Sequence, residues 1–316
     1  MSKKREISPT ASGGAKPGFF NGYWQHRGLF LMLLPVIIYY AIFHYGPLYG
    51  IQIAFKDFYP LQGIWKSPWI GWINFQELFT GLYFLPVLRN TLLISLYKLI
   101  FGFPAPIILC LLINEVRSLW FKKTVQTITY LPHFISWVVM AGLVMTFLSP
   151  SQGPINILLS HLGMNPVYFI AEPRWFRSIL VLSSMWKSIG WSSIVYLAAI
   201  TNVNPELYEV AELDGAGRWQ KIWNITLPSI MPVIVIMFIL SVGKIINDDF
   251  DQIFNLLNGK VMGVGDVIST YTYREGLQRM NYGYATAVGL FKSVVAFILV
   301  VGTNQIARKT SEYAIW

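Results

Sequence analysis

Four lysines, Lys98, Lys187, Lys244 and Lys292, fall in or at the ends of long apolar stretches, and Asp248, Asp249 and Asp251 follow one of those stretches. An ionised side chain at the centre of a hydrocarbon layer costs about 2.5–3.5 kcal/mol on insertion scales, so such residues face a wet path or pair with each other. Four lysines along one path favour an anionic substrate. The acidic cluster argues the opposite way unless it pairs with Lys244. Two of the lysines have a simpler option: Lys244 can snorkel to the headgroups, and Lys292 can bond to a neighbouring helix. Tyr97, Trp186, Trp191 and Asn247 offer the aromatic faces and the amide that hold sugars, although rings within apolar segments more often serve packing.

Bond-making chemistry is missing from the pattern. His26, His44, His133 and His161 stand without ligand spacing, and the single Cys110 allows neither an internal disulfide nor a Cys-rich zinc cage. Gly243-Lys244 comes nearest to a phosphate-cradling Gly-x-x-x-x-Gly-Lys-Ser/Thr loop and lacks both the upstream glycine and the following hydroxyl. The chain is therefore expected to hold no metal or cofactor, to catalyse nothing, and to leave any nucleotide to a partner.

The residues just named must be positioned by membrane helices. Of 316 residues, 54% are hydrophobic and only 12% charged, where a soluble domain carries roughly 25% charged. The apolar residues form blocks of about 20, the length that crosses a hydrocarbon core. Six spans are predicted: 28–49, 91–113, 128–148, 179–200, 229–246 and 285–306. The expected fold is all-α and polytopic, with a tail over 1–27, a membrane domain over 28–306 and a second tail over 307–316. Pro104, Pro106, Pro132 and Pro232 lie in or at spans, where neighbouring helices re-satisfy freed carbonyls.

The net charge of +9 resides mostly between apolar blocks, which makes it a topology signal rather than a nucleic-acid footprint. Segments on the side of the N-terminus hold Lys3, Lys4, Arg5, Lys16, Arg27, Arg117, Lys122, Lys123, Arg218, Lys221, Arg308 and Lys309. That is about 12 in roughly 77 residues, against about 8 in roughly 110 on the opposite side, so both termini are expected in the cytoplasm. Trp65, Trp69, Trp72, Phe75 and Phe79 read as an outer interfacial girdle.

The most informative segment lies between the fourth and fifth spans. Asn204 is a good N-cap, Pro205 a good first helical residue, and Glu206 and Glu209 suit the positive end of a helix dipole. Gly215 and Gly217 then permit a stop and turn, and Trp219, Ile222 and Trp223 make an apolar face on a second short helix. A compact helical projection of this kind suits docking into another protein.

At these residues the sequence resembles the permeases of binding-protein-dependent ABC importers. Their cytoplasmic signature reads Glu-Ala-Ala, three residues, Gly, nine residues, Ile, one residue, Leu-Pro. Glu209, Ala211, Gly215, Ile225, Leu227 and Pro228 match with every spacing intact, and Val210 replaces the middle alanine. The segments Gly265–Tyr273 and Ala285–Ser293, with Trp316, are similar to the oligosaccharide and polysaccharide subgroup, which includes importers of alginate and rhamnogalacturonan oligomers.

The resemblance implies a type I importer permease fold in a bacterial cytoplasmic (inner) membrane. It implies a second permease that is a different chain, two ATPase subunits holding ATP and Mg, a solute-binding protein outside, a carbohydrate cargo and surrounding lipid, but no nucleic acid. The loop 204–228, with Glu209, Ala211, Asp214, Gly215, Ala216, Ile225, Leu227 and Pro228, would couple to an ATPase. Lys98, Lys187, Lys244, Asn247, Asp248, Asp249 and Asp251 are the candidate pathway residues, and an acidic oligosaccharide such as a uronate oligomer is the expected cargo. A neutral-sugar permease, a nucleotide-independent secondary transporter and a membrane enzyme are the competing readings. The coupling loop would have no purpose in the second, and no nucleophile motif supports the third.

Overall fold

The computed structural model describes residues 27–246 and 249–310. Among these, the one isolated β pairing is an antiparallel bridge between Lys56 and Trp69, and every long segment is helical. Two compact units meet in sequence at Gln52 and Ile53.

Helix α1, Arg27–Phe55, passes from α through a π turn at Ala41–Tyr45 into a 3-10 stretch. None of its α-helical residues is buried, and its exposed Leu31, Met32 and Phe43 suit hydrocarbon.

The second unit contains α2 (Phe84–Glu115), α3 (Leu119–Phe134), α4 (Trp137–Phe147), α5 (Pro173–Thr201), α6 (Pro205–Leu213), α7 (Arg218–Gly243), α8 (Phe250–Leu256), α9 (Ile268–Tyr273) and α10 (Tyr282–Lys309). Helices α1, α2, α7 and α10 are each long and apolar enough to cross a membrane. At 29 residues α5 is long enough, about 43 Å at 1.5 Å per residue, but less apolar than those four.

Its central position explains that difference. Helix α5 packs on α2, α3, α7 and α8, and its Ser183 and Ser193 are buried against them. Phe176 and Leu180 pack with Ala141 and Val144 of α4 and with Ile253 and Leu256 of α8. Farther along α5, Tyr196 and Ile200 meet Cys110 of α2 and Ile230 of α7. A third cluster joins Phe84 and Val87 of α2 to Ile268 and Tyr271 of α9 and Tyr284 and Val288 of α10. Lipid tails are as apolar as leucine, so these clusters hold by close packing and hydrogen bonds rather than by expelling water.

The third predicted span is broken. Helices α3 and α4 meet at 110° across Ile135 and Ser136. Pro132 lacks an N–H, and Ser136 caps the new helix by accepting from Val139 N. Lys187 of α5 donates to the carbonyls of Pro132, His133 and Ile135; the first also accepts from Ile135 N at 3.2 Å, whereas the other two have no backbone donor across the break among the described residues. Gly190 allows the approach, since a Cβ there would run into the Thr129 carbonyl.

Arginine and asparagine anchor the segment after α8. Arg177 donates to Asn90 Oδ1 at 2.8 Å and to the Val264 carbonyl at 3.1 Å, while Asn90 donates to the Gly263 carbonyl at 3.0 Å. Buried Asp266 accepts from Thr270 at 2.8 Å and pairs with Arg274 at 2.5 Å.

Candidate functional site

A cavity of about 280 Å³ lies among α2, α5 and α7 and reaches Asp249 at the start of α8. Ser184, Ser188, Ser192 and Tyr196 present one i, i+4 row of α5 to it, opposite Ser95, Lys98 and Phe103 and beside Ser241 and Lys244. Ser188 and Ser241 donate to carbonyls one turn back in their own helices, both at 2.7 Å. The hydroxyls of Ser95, Ser184 and Ser192 make no such bond among the described residues, which leaves them for water or a ligand.

Lys98 begins a π turn, Lys98–Gly102, directly before Pro104, so the helix widens where proline cannot donate. Its ammonium lies 2.8 Å from Asp249 Oδ2 and donates to Gln252 Oε1 at 2.6 Å. Gln252 is fully buried and donates in turn to the Leu180 carbonyl at 2.6 Å and to Ser183 Oγ at 2.8 Å. Lys244 lines the same cavity and has no ion pair among the described residues.

Of the predicted pathway residues, the structure brings Lys98, Lys244 and Asp249 together and places Lys187 and Asp251 elsewhere. Lys187 caps the α3–α4 break instead of lining the cavity. Asp251 is exposed on α8 away from the cavity lining, and Lys292 lies on α10, also outside it. Asn247 and Asp248 lie outside the described residues.

The predicted sugar-binding rings also go elsewhere. Trp191 stacks on His133 with ring centroids 4.5 Å apart, Trp186 packs edge-on against Phe147, and neither of them nor Tyr97 lines the cavity. Sequence reasoning missed the serine row. Its signal was present as hydroxyls every fourth residue, from 184 to 192, in a segment otherwise apolar enough to be read as a span.

The loop after α5 forms a second site. Asn204 caps α6 by accepting from Glu206 N at 3.1 Å, and Pro205 occupies the first turn. At the other end Ala216 N donates to the Ala211 carbonyl at 2.8 Å and Gly215 N to that of Glu212 at 3.1 Å, a Schellman closure with Gly215 at φ 78°. Asp214 is the C-cap residue.

The expected second short helix is not separate: Arg218 opens α7, which runs on through a π turn at Ile222–Thr226. Ile222 is buried, Ile225 and Leu227 are half-buried and Pro228 is exposed. Two side-chain contacts brace the turn: Lys221 to Glu212 at 2.6 Å, and Tyr208 Oη to Thr226 Oγ1 at 2.9 Å. The hydrogen bond and charge of Lys221 hold the Glu212 carboxyl below its ordinary range.

Leu207, Val210, Leu213, Trp219 and Trp223 are left exposed, Leu213 at 88%. Among them stands Glu209, exposed and without a partner among the described residues. An apolar surface around one unpaired acid has the composition of a docking surface for a partner carrying a basic residue.

Comparison with known proteins places this architecture. Residues 78–312 match the family described as the inner membrane component of binding-protein-dependent transport systems. The polygalacturonan/rhamnogalacturonan transport system permease protein YteP of Bacillus subtilis (strain 168) is 44% identical over 292 residues, 92% of this chain and 91% of that one. A chain in the crystal structure of a bacterial ABC transporter involved in importing the acidic polysaccharide alginate superposes with TM-score 0.86 at 47% identity, covering 92% of this chain and 98% of the other. A chain in a bacterial alginate ABC transporter in complex with its alginate pentasaccharide-bound periplasmic protein gives 0.87 at 45% identity, covering 94% and 99%. The cavity within the bundle, the projecting loop and these full-length likenesses have one meaning: the chain belongs to the inner-membrane components of binding-protein-dependent transport systems, the permease subunits of ABC importers.

Proposed function

We propose that this permease carries an acidic oligosaccharide, such as a uronate oligomer, across the inner membrane after a periplasmic solute-binding protein delivers it. What supports the cargo class is the cavity: among the described residues, three hydroxyls without internal partners stand beside Lys98 and Lys244, with Asp249 as the one acid in the lining. Sugars need hydroxyl partners, and a uronate needs a cation as well. The relatives named for polygalacturonan and alginate handle polymers of the same chemistry.

In this reading a second, different permease completes the path and two ATPase subunits bind ATP and Mg. One ATPase receives the loop 204–228, with Glu209 against a basic residue and Leu207 and Val210 against apolar ones. Both termini then face the cytoplasm, in line with the density of Lys and Arg on that side.

The test is ATPase stimulation of the reconstituted complex by its binding protein. Protein loaded with oligogalacturonate should stimulate hydrolysis. Stimulation by a neutral oligosaccharide alone would overturn the acidic preference.

A further inference from the structure

The ion pair at the cavity is unequal, and the inequality gives it a use. Lys98 is held from behind, because Gln252 is fully buried and fixed by two donations to α5, at 2.6 and 2.8 Å. Its side chain is 19% exposed. Asp249 is held more loosely: Lys98 is its sole direct side-chain partner among the described residues, Lys187 of α5 reaches it only through longer-range charge, it makes no capping bond to α8, and its side chain is 49% exposed. The base is fixed while the acid is free to leave.

Accepting the acidic cargo proposed above, we infer that Lys98 selects for charge in the path by exchanging carboxylates. Asp249 occupies the ammonium at rest, and the carboxylate of a passing uronate unit takes its place. The exchange keeps Lys98 paired at each step, which matters because an uncompensated charge among apolar helices is strongly unfavourable. A neutral sugar ring has no group that replaces Asp249, so for it the pair stays closed. At about 280 Å³ the cavity lies near the small end of ligand sites, roughly 300–1,000 Å³. Each unit of a saccharide chain that passes the cavity meets the same lysine. Lys244 nearby supplies a second cation for the next carboxylate.

The experiment uses the complete complex in proteoliposomes, with binding protein loaded with trigalacturonate and initial uptake as the readout. Removing the ammonium deletes a charge-assisted bond to cargo, so Lys98→Gln should slow uptake at least about tenfold, and Lys98→Arg should restore most of it. Removing the competing acid should do the reverse: Asp249→Asn should raise uptake at limiting loaded binding protein, by up to about fivefold for a partly exposed pair. A purely structural bridge predicts similar losses on removing either partner, and that result overturns the inference while leaving the cargo assignment intact. If Lys98→Gln fails to assemble, Asp249→Asn decides alone: a rise supports the exchange and a loss contradicts it. A wild-type complex that imports a neutral trisaccharide and no trigalacturonate overturns both the cargo assignment and the exchange.

Discussion

The ammonium of Lys187, halfway along α5, donates to the carbonyl of His133 at 2.8 Å and so holds the corner where α3 turns into α4. The same nitrogen also serves Pro132 and Ile135, and it lies 5.6 Å from the Trp137 ring centroid.

Removing that donor leaves the His133 and Ile135 carbonyls unpaired, while Pro132 keeps the bond from Ile135 N, at a cost of about 1–3 kcal/mol for a buried polar group. Lys187→Met should therefore lower the thermal stability of the detergent-solubilised complex. Lys187→Arg, which keeps several donors, should lower it less. Unchanged melting in the methionine variant would contradict the capping role.

The case of Lys187 marks where the sequence stops being legible. Span composition identified it as an ion in hydrocarbon, and nothing in the sequence tells a pathway lysine from one that caps a broken helix 52 residues away. Lys98 and Asp249, 151 residues apart, could be named as candidates but not as a pair. The loop was far more legible, because capping is local: Asn204, Pro205 and Gly215 act on neighbours a few residues away. The second helix of that loop was misjudged because the residues after Gly217 carry no stop signal before the span, and α7 simply starts early. Pro132 marks a place where a neighbouring helix must satisfy freed carbonyls, but the bend of 110° that divides the expected span 128–148 is not legible from it, since it depends on α5 being there.

Gly215 tests the turn itself. A Cβ there would meet nothing within 4 Å, so the penalty of a side chain is the left-handed backbone at φ 78° rather than a collision. That conformation costs roughly 1–2 kcal/mol for an ordinary L-residue and more for a β-branched one. Gly215→Val should weaken retention of the ATPase subunits in a detergent pull-down, Gly215→Asn much less. Equal retention in wild type and the valine variant would mean that the turn has no part in docking.

The brace between Glu212 and Lys221 carries a pH signature. Its carboxyl lies below the ordinary value of 4.5, chiefly through the hydrogen bond from Lys221. A depressed acid stabilises the fold above its unfolded pKa and loses that contribution as pH falls through its folded one. Hydrogen exchange of the amides around 214–221 should be faster in Glu212→Gln than in wild type at neutral pH, with the difference vanishing well below pH 4.5. A difference that persists unchanged in acid would assign the effect to something other than this carboxylate.

Sidedness is tested by labelling. Leu61 is fully exposed in the segment before α2, and Trp219 is exposed at the start of α7. In intact cells an impermeant thiol reagent should modify Leu61→Cys and spare Trp219→Cys. Cys110 is buried and does not compete. The opposite pattern would invert the proposed orientation.

ATP-dependent uptake by the complete complex in proteoliposomes, wild type beside Glu209→Lys, tests most directly that this permease is driven through its cytoplasmic loop. Wild type should take up trigalacturonate from its loaded binding protein only when ATP is supplied on the loop side. Glu209→Lys places a like charge against the basic residue expected on the ATPase, which costs several kcal/mol at an interface; it should abolish uptake while the binding protein still docks on the other face. Uptake that persists without ATP, or that survives unchanged in Glu209→Lys, would contradict the account.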